Sequence, residues 1–364
     1  MKKKALLFIL IGIIVSTFLI GCQSKSVDKT GKVDGTGDYE INLGYYNCDH
    51  MVGACVGEAT GIYEELGLNV VITGNGKVPE AMAAGQMDAG YIGNRGLIGA
   101  NGQGSPIMIG ANNHIGGSMY LVASNDVEKP EDIYGEKVAI GDPSTNESWL
   151  AGYSKILNLS TEESDYDLVN IGSDADKYAA LSTGQIKAFT ACDPWGSMAV
   201  HEGTGKIMAT YMEMDERMGI CCAFSLNKNF VEEHPELAKK LLLAHQKSIE
   251  YVYKNPYNAA KIFAEYYKVP EEVAIMTIYK KCVEEGRTLT WKIEEENFKH
   301  AYDVYKRYDL IEKLPEFEDL IAYDIYEAAD LRDFNEFIKE EVDPEFPVGM
   351  SYEDFKKKAM EINE

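Results

Sequence analysis

Short apolar runs alternate with helix-like stretches along residues 40–226, and this alternation constrains the possible fold more than any other feature. Strand-like runs, rich in Ile, Val and Tyr, lie at residues 40–46, 68–73, 87–92 and 107–111. Helix-like stretches separate them at residues 51–65, 78–84 and 96–102. Strands connected by helices at this spacing predict a largely parallel sheet with crossover helices on its faces.

A second set of signals follows the first. Strand-like runs lie at residues 119–124, 137–140, 166–171 and 188–191, with helix-like stretches at 144–157 and 174–182. Residues 221–226 predict a strand that returns to the first set, and the chain beyond residue 228 has helical periodicity. The amphipathic stretches in that part lie at residues 234–255, 256–267, 271–285, 293–308 and 320–329. Two such sets predict an α/β protein of two lobes, with a cleft between them at the carboxyl ends of the strands.

Chain length agrees with two lobes, because roughly 325 residues after the N-terminal segment exceed one typical core. We expect the first lobe to be discontinuous and the second to be inserted in it. The predicted ranges are 40–123 with 225–330 for the first lobe, 124–224 for the second, and 331–364 for an acidic helical C-terminal extension.

The N-terminus carries a secretory signal. Three lysines at positions 2–4 precede an apolar run of about sixteen residues, which is shorter than the roughly 18–20 of a spanning helix. Leu19-Ile20-Gly21-Cys22 then resembles a bacterial lipobox, which implies that Cys22 is lipidated. The alternative is an ordinary transmembrane anchor. Residues 23–39 are polar and predict a flexible linker.

The net charge of −24 argues against a nucleic-acid partner, since phosphate binding needs basic surface. Residues 309–364 hold 18 acidic and 6 basic residues, which give half of the net charge of the chain. We expect this segment to form either a solvated face or a docking surface.

Six further cysteines follow Cys22 without a regular spacing. We expect buried thiols, with disulfides as the alternative.

Four segments in this order resemble a known family. They are residues 57–68, 79–90, 131–141 and 180–195, the last ending in Asp193-Pro194-Trp195. Together with the lipobox they resemble the substrate-binding lipoproteins of ABC importers, of the nitrate/sulfonate/taurine branch with the type II periplasmic-binding-protein fold. The resemblance implies a monomer outside the cytoplasmic membrane, held by the lipid on Cys22, that binds a small solute and delivers it to a permease served by a cytoplasmic ATPase.

The resemblance also implies ligand contacts at strand ends. The matching residues are Tyr46, Asn47, Asp49, His50, Asn94, Arg95, Asn113, Ser144, Thr145, Asn146, Trp149, Asp193, Trp195 and Cys222. Each has a structural alternative: Ser144 begins a Ser-x-x-Glu capping box, Arg95 could form a surface salt bridge, and the asparagines suit turns. Aromatic residues could line the cleft or pack inside a lobe.

We assign no catalytic residue, cofactor or metal. Thiols near His50 and Asp49 could bind a soft metal or act as small apolar fillers. An aminosulfonate-like zwitterion or small anion is the expected ligand, and a pyrimidine, thiamine or flavin precursor or a metal is the alternative. An enzyme resembling the pyrimidine synthases of thiamine biosynthesis and an extracytoplasmic sensor are the competing classes, but recognisable hydrolase, zinc-protease and P-loop motifs are missing from the sequence.

Overall fold

The computed structural model describes residues 39–74, 77–116, 119–210 and 220–363. The expected signal with Cys22 and the expected linker up to residue 38 lie outside this part of the chain. Among the described residues, none of the helices combines the length and apolar character needed to span a bilayer.

The first sheet has the strand order β2-β1-β3-β10-β4. Its strands are β1 (Glu40–Tyr45), β2 (Asn69–Gly74), β3 (Ala89–Gly93), β4 (Ile107–His114) and β10 (Cys222–Asn227). β1 pairs in parallel with β2 and β3, whereas β10 lies antiparallel between β3 and β4. The returning strand predicted from the sequence therefore occupies an inner position of the sheet.

The second sheet has the order β7-β6-β8-β5-β9. Its strands are β5 (Met119–Ser124), β6 (Lys137–Ala139), β7 (Asp167–Leu168), β8 (Ala188–Cys192) and β9 (Gly205–Thr210). β6 pairs in parallel with β7 and β8, and β5 lies antiparallel between β8 and β9. The expected α/β fold of two lobes, each a mixed sheet flanked by helices, is confirmed.

Helices cover both faces of each sheet. Those between strands are α1 (Val52–Ala59), α2 (Ile62–Glu65), α3 (Val78–Ala83), α4 (Asn94–Gly102), α5 (Ser154–Ile156), α6 (Asp174–Ser182) and α7 (Trp195–His201). Those after β10 are α8 (Lys228–Glu233), α9 (Pro235–Lys254), α10 (Pro256–Tyr267), α11 (Glu271–Tyr279), α12 (Glu295–Arg307), α13 (Phe317–Leu320), α14 (Tyr323–Ala328), α15 (Phe334–Phe337) and α16 (Tyr352–Ile362). Buried apolar clusters lie on both faces of each sheet.

Several elements differ from the sequence prediction. The helix expected at residues 51–65 is divided into α1 and α2, because Gly61 adopts a left-handed conformation with φ 75°. The helix expected from residue 144 begins at residue 147, and Ser144 instead donates its hydroxyl to the carboxylate of Asp142 in the preceding turn. β9 was not predicted. The acidic C-terminal residues contribute Phe337 and other apolar side chains to the core of the first lobe.

Candidate functional site

A cavity of about 840 Å³ lies between the two sheets, and residues from both line it. Its lining residues are Tyr46, Asn47, Cys48, His50, Met51, Pro79, Ile92, Gly93, Gly96, Met119, Gly172, Ser173, Asp174, Ala175, Cys192, Trp195 and Cys221. Sites of open α/β folds lie beyond the carboxyl ends of strands, where the connections to the following helices leave a crevice. The cavity has the size of a small-molecule site.

Strand ends deliver the polar and aromatic side chains to this cavity. Tyr46 and Asn47 follow β1 directly, and His50 lies in the 3₁₀ turn Asp49–Met51 that comes next. On the other side, Cys192 ends β8 and Trp195 begins α7. A backbone hydrogen bond of 3.0 Å, from the N–H of Asp49 to the carbonyl of Asp193, joins the two sides beside the cavity. The two lobes therefore meet at the ends of β1 and β8.

Thiols and imidazoles cluster at this meeting point. The Sγ atom of Cys48 lies 3.3 Å from Nδ1 and 3.4 Å from Nε2 of His50. The candidate ligand atoms of Cys48, Asp49, His50 and Cys192 all lie within 4.8 Å of one another, as do those of His50, Cys221 and Cys222. His114 stacks on His50, with ring centroids 4.8 Å apart. None of the six cysteines in the described residues forms a disulfide.

A network of buried ion pairs fixes the position of His50. Nδ1 of His50 lies 3.0 Å from Oδ1 of Asp49, whose Oδ2 lies 3.0 Å from Nζ of Lys281. Burial opposes the ionisation of Asp49, but Lys281 and then His50 outweigh it and hold the pKa of Asp49 well below its usual range. Burial likewise opposes the charge on His50, but Cys221 and Asp49 raise the pKa of His50 to about 9.

The two thiols beside His50 have opposite electrostatic surroundings. Burial, followed by the hydrogen bond with Cys192, raises the pKa of the Cys48 thiol well above its usual range. A hydrogen bond from Cys222 stabilises the thiolate of Cys221 and, together with His50, lowers its pKa well below the usual range against the effect of burial. Cys221 is partly exposed to the cavity, and its surroundings favour the thiolate over the neutral thiol.

A second buried ion pair crosses to the other lobe. Nζ of Lys280 lies 3.0 Å from Oδ2 of Asp193 and 2.9 Å from Oγ of Ser197. Lys280 and Lys281 occupy the π-helical segment Lys280–Glu284 that continues α11, and both approach the ring of Tyr120 on β5. Adjacent lysines therefore bind one carboxylate from each lobe, Asp49 from the first and Asp193 from the second.

Among the residues predicted to bind a ligand, the structure places four at the cavity wall: Tyr46, Asn47, His50 and Trp195. Asp49 and Asp193 are fully buried, and their carboxylates are engaged by the two lysines. Asn113 and Cys222 lie in the layer behind the wall. The Asn113 amide donates to the carbonyl of His50 at 2.7 Å and to the sulfur of Cys222.

Arg95 lies beside a neighbouring cavity of about 580 Å³ and not beside the interlobe one. Its Nε and Nη2 donate to the carbonyl of Leu310, and its Nη1 donates to the carbonyl of Thr145. Ser144 and Thr145 lie on the exposed turn after Asp142. The predicted cation is thus bound to backbone carbonyls and does not line the ligand cavity.

Three further predicted contacts also lie away from the cavity wall. Trp149 is fully buried in the core of the second lobe, where its indole N–H donates to the carbonyl of Ser160 at 2.8 Å. The side chain of Asn146 donates to the carbonyl of Ile140. Asn94 is buried at the start of α4, with its backbone N–H bound to the carbonyl of Cys221. Packing and turn formation account for these side chains.

Sequence reasoning missed other residues of the wall. Residues 172–175, which contain the N-cap Ser173 and the first turn of α6, face the cavity, and so does Met119. A Ser-Asp pair before a helical pattern is the sequence signal of such a turn. Cys48, Cys192 and Cys221 also line the wall, and nothing in their spacing along the sequence indicates that they meet.

Solved structures of ABC-import binding proteins share this fold. A ligand-binding component of an ABC-type import system from Staphylococcus aureus, solved with zinc bound, is 16% identical with a TM-score of 0.64, covering 80% of this chain and 99% of that one. The alkanesulfonate-binding protein SsuA from Xanthomonas axonopodis pv. citri, bound to MOPS, is 14% identical with a TM-score of 0.62, covering 79% and 97%.

A yeast enzyme is similar in sequence. The 4-amino-5-hydroxymethyl-2-methylpyrimidine phosphate synthase THI13 of Saccharomyces cerevisiae is 24% identical over an alignment of 232 residues, which covers 57% of this chain and 65% of the yeast protein. The match thus spans slightly less than two thirds of that relative. The NMT1-like family matches residues 34–265, well over half of the chain. With this match and a two-lobe fold shared with ABC-import binding proteins, the protein belongs to the NMT1-like family.

Proposed function

We propose that the protein is the solute-binding component of an ABC importer, which captures a small molecule between its lobes and delivers it to a membrane permease. The observation that carries the proposal is the cavity of about 840 Å³ lined by strand ends of both sheets. A ligand held by both lobes favours their closed arrangement over an open one, which gives a permease a conformation to recognise.

The polar groups of the wall support a small zwitterion or anion as the ligand. The Asn47 amide provides hydrogen-bond donors, and the first turn of α6 presents the positive end of a helix. Asp174 in the same turn offers a carboxylate to an ammonium group. Tyr46 and Trp195 supply aromatic surface for the remainder of the molecule. A small aminosulfonate or amino acid combines these features.

The N-terminal sequence supports a place outside the cytoplasmic membrane. A lipid on Cys22, followed by a polar linker, would hold the binding protein close to its permease and raise the effective concentration of the two. We propose that the protein acts there as a monomer, and that a cytoplasmic ATPase drives the permease.

A second candidate is an enzyme related in activity to the yeast synthase. The observation that favours it is the Cys221 sulfur within 4.8 Å of His50 at the cavity, in surroundings that lower the pKa of the thiol, together with the sequence match to the yeast protein. Such a thiolate is a competent nucleophile. The two candidates differ in one measurable property, because a binding protein releases its ligand unchanged.

The experiment is a thermal-shift screen of the purified full chain against sulfonates, amino acids, pyrimidines and flavin precursors, with the solution analysed for new products. We expect at least one solute to raise the melting temperature and to be recovered unchanged. Trp195→Ala and Asn47→Ala should weaken binding, whereas Tyr134→Ala, which removes a more exposed aromatic that does not line the cavity, should leave it unchanged.

Two outcomes would contradict the proposal. A screen in which no solute stabilises the protein while a turnover product accumulates would favour the enzyme. A stabilising solute whose affinity is the same in the Trp195→Ala, Asn47→Ala and unaltered proteins would place the ligand outside the cavity.

A further inference from the structure

The cysteines of the described chain fall into two groups with different surroundings. Cys55 and Cys282 are buried in the apolar core of the first lobe, where a thiol packs as a small hydrophobic side chain. Cys192 and Cys221 are only partly buried and line the interlobe cavity together with Cys48 and His50. Apolar packing accounts for the first group and leaves the second unexplained.

The donor set of the second group suits a thiophilic transition metal. It combines thiol sulfurs with an imidazole, the ligands that select Zn²⁺ and similar ions over Mg²⁺ or Ca²⁺. Four candidate ligand atoms, from Cys48, Asp49, His50 and Cys192, lie within 4.8 Å of one another. Cys221 lies in a second such group that shares His50, and it offers a further sulfur.

Distances within the group are close to those that a metal requires. With Zn–S of about 2.3 Å and Zn–N of about 2.05 Å, tetrahedral ligation places a sulfur and a nitrogen about 3.6 Å apart. Sγ of Cys48 lies 3.3 and 3.4 Å from the two ring nitrogens of His50. Cys48 and His50 therefore already approach one another at close to the spacing of two ligands of one ion.

The surroundings also resemble the outer shell of a metal site. A carboxylate oxygen of Asp49 lies 3.0 Å from Nδ1 of His50, the arrangement by which a carboxylate orients a ligating imidazole. Lys281 in turn fixes Asp49. The neighbouring His114 is also buried, and a side-chain hydrogen bond links its imidazole to Cys221.

We propose that Cys48, His50 and Cys192 bind a thiophilic transition-metal ion of the Zn²⁺ class across the two lobes, with Cys221 close enough to His50 to offer a further sulfur. Cys48 and His50 follow β1 of the first sheet, and Cys192 ends β8 of the second. The ion therefore links the lobes. This site goes beyond the proposed function, since it depends on the cluster alone and not on a role in import.

The test uses the untagged full chain, stripped of metal with a chelator and kept reduced. Zn²⁺ is titrated calorimetrically, and Co²⁺ is titrated in a spectrometer, where thiolate ligation gives a sulfur-to-cobalt charge-transfer band. We expect one ion per chain and a charge-transfer band. Cys48→Ala, His50→Ala and Cys192→Ala should each lower the affinity at least about tenfold, the lower end of what loss of an outer-shell partner costs.

Cys55→Ala is the matched control, because it removes a buried thiol outside the cluster and should leave the affinity unchanged. Circular dichroism of each variant separates a lost ligand from a lost fold. Absence of stoichiometric binding by the folded protein would overturn the proposal, and so would binding that persists in a folded Cys48→Ala/Cys192→Ala double variant. Either result leaves the solute-binding proposal standing, since that is judged by the solute screen.

Discussion

Replacing Lys281 by Met tests the buried ion network beneath the cavity. Lys281 is fully buried, its Nζ lies 3.0 Å from Oδ2 of Asp49, and it also pairs with Glu285. Met retains most of the apolar stem and removes the charge. Two buried carboxylates then lose their shared cation, although Asp49 keeps His50 and Glu285 keeps the hydroxyl of Tyr120.

Breaking a buried ion pair by removing one partner costs about 3–5 kcal/mol, mostly because the remaining charge is left buried and uncompensated. Lys281→Met should lower the free energy of unfolding by about that amount. The Lys281→Met/Asp49→Asn double variant should lose less than the two single variants combined, because the uncompensated carboxylate is removed together with its cation.

Urea denaturation followed by circular dichroism and tryptophan fluorescence measures the effect. Lys299→Met is the matched control, since Lys299 pairs with Glu295 and Glu296 on an exposed helix face and should contribute less than about 1 kcal/mol. If the loss in Lys281→Met were as small as in Lys299→Met, the buried network would not be a source of stability and the reasoning from burial would be refuted.

Two further predictions concern stability away from the cavity. Burial lowers the pKa of His245 to about 4, below the value of about 6.5 in an unfolded chain. The neutral, buried imidazole therefore contributes its full share of the folding stability above pH 6.5, and this share is lost as the pH falls towards 4. Urea denaturation should show that the free energy of unfolding falls by about 2 kcal/mol between pH 7 and pH 5. An equal fall in the His245→Gln variant would contradict this prediction. A Cβ at Gly102 would lie 1.9 Å from the carbonyl oxygen of Lys313, so Gly102→Ala should cost about 1–3 kcal/mol in the same assay. Gly99→Ala on the same helix meets open space and should cost nothing, and equal costs at both positions would refute the steric reasoning.

The strands were the most predictable part of the fold. Runs such as residues 40–46 and 221–226 carry Ile, Leu, Tyr or Phe in patterns that suit a buried sheet, and both form strands within a residue or two of the predicted bounds. β9 was not predicted, because the sequence of Gly205–Thr210 carries few β-branched residues and its place at the sheet edge depends on pairing with β5.

The site was less predictable because its partners come from distant parts of the chain. That polar residues after β1 would face a cavity followed from the topology. The topology did not predict that Lys280 binds Asp193 or that Lys281 binds Asp49, because a helical pattern gives no sign that a lysine is buried. Arg95 follows a strand end as expected, but a carbonyl more than 200 residues away in sequence binds its guanidinium.

The inner position of β10 has a consequence for how the chain folds. β3 and β4 are not hydrogen-bonded neighbours, and the strand between them begins only at Cys222. All strands of the second sheet lie between Met119 and Thr210, so that sheet can form while the first still lacks an inner strand. A chain that emerges from its N-terminus onwards therefore carries an incomplete first lobe with open strand edges until β10 arrives. Such edges promote association between chains.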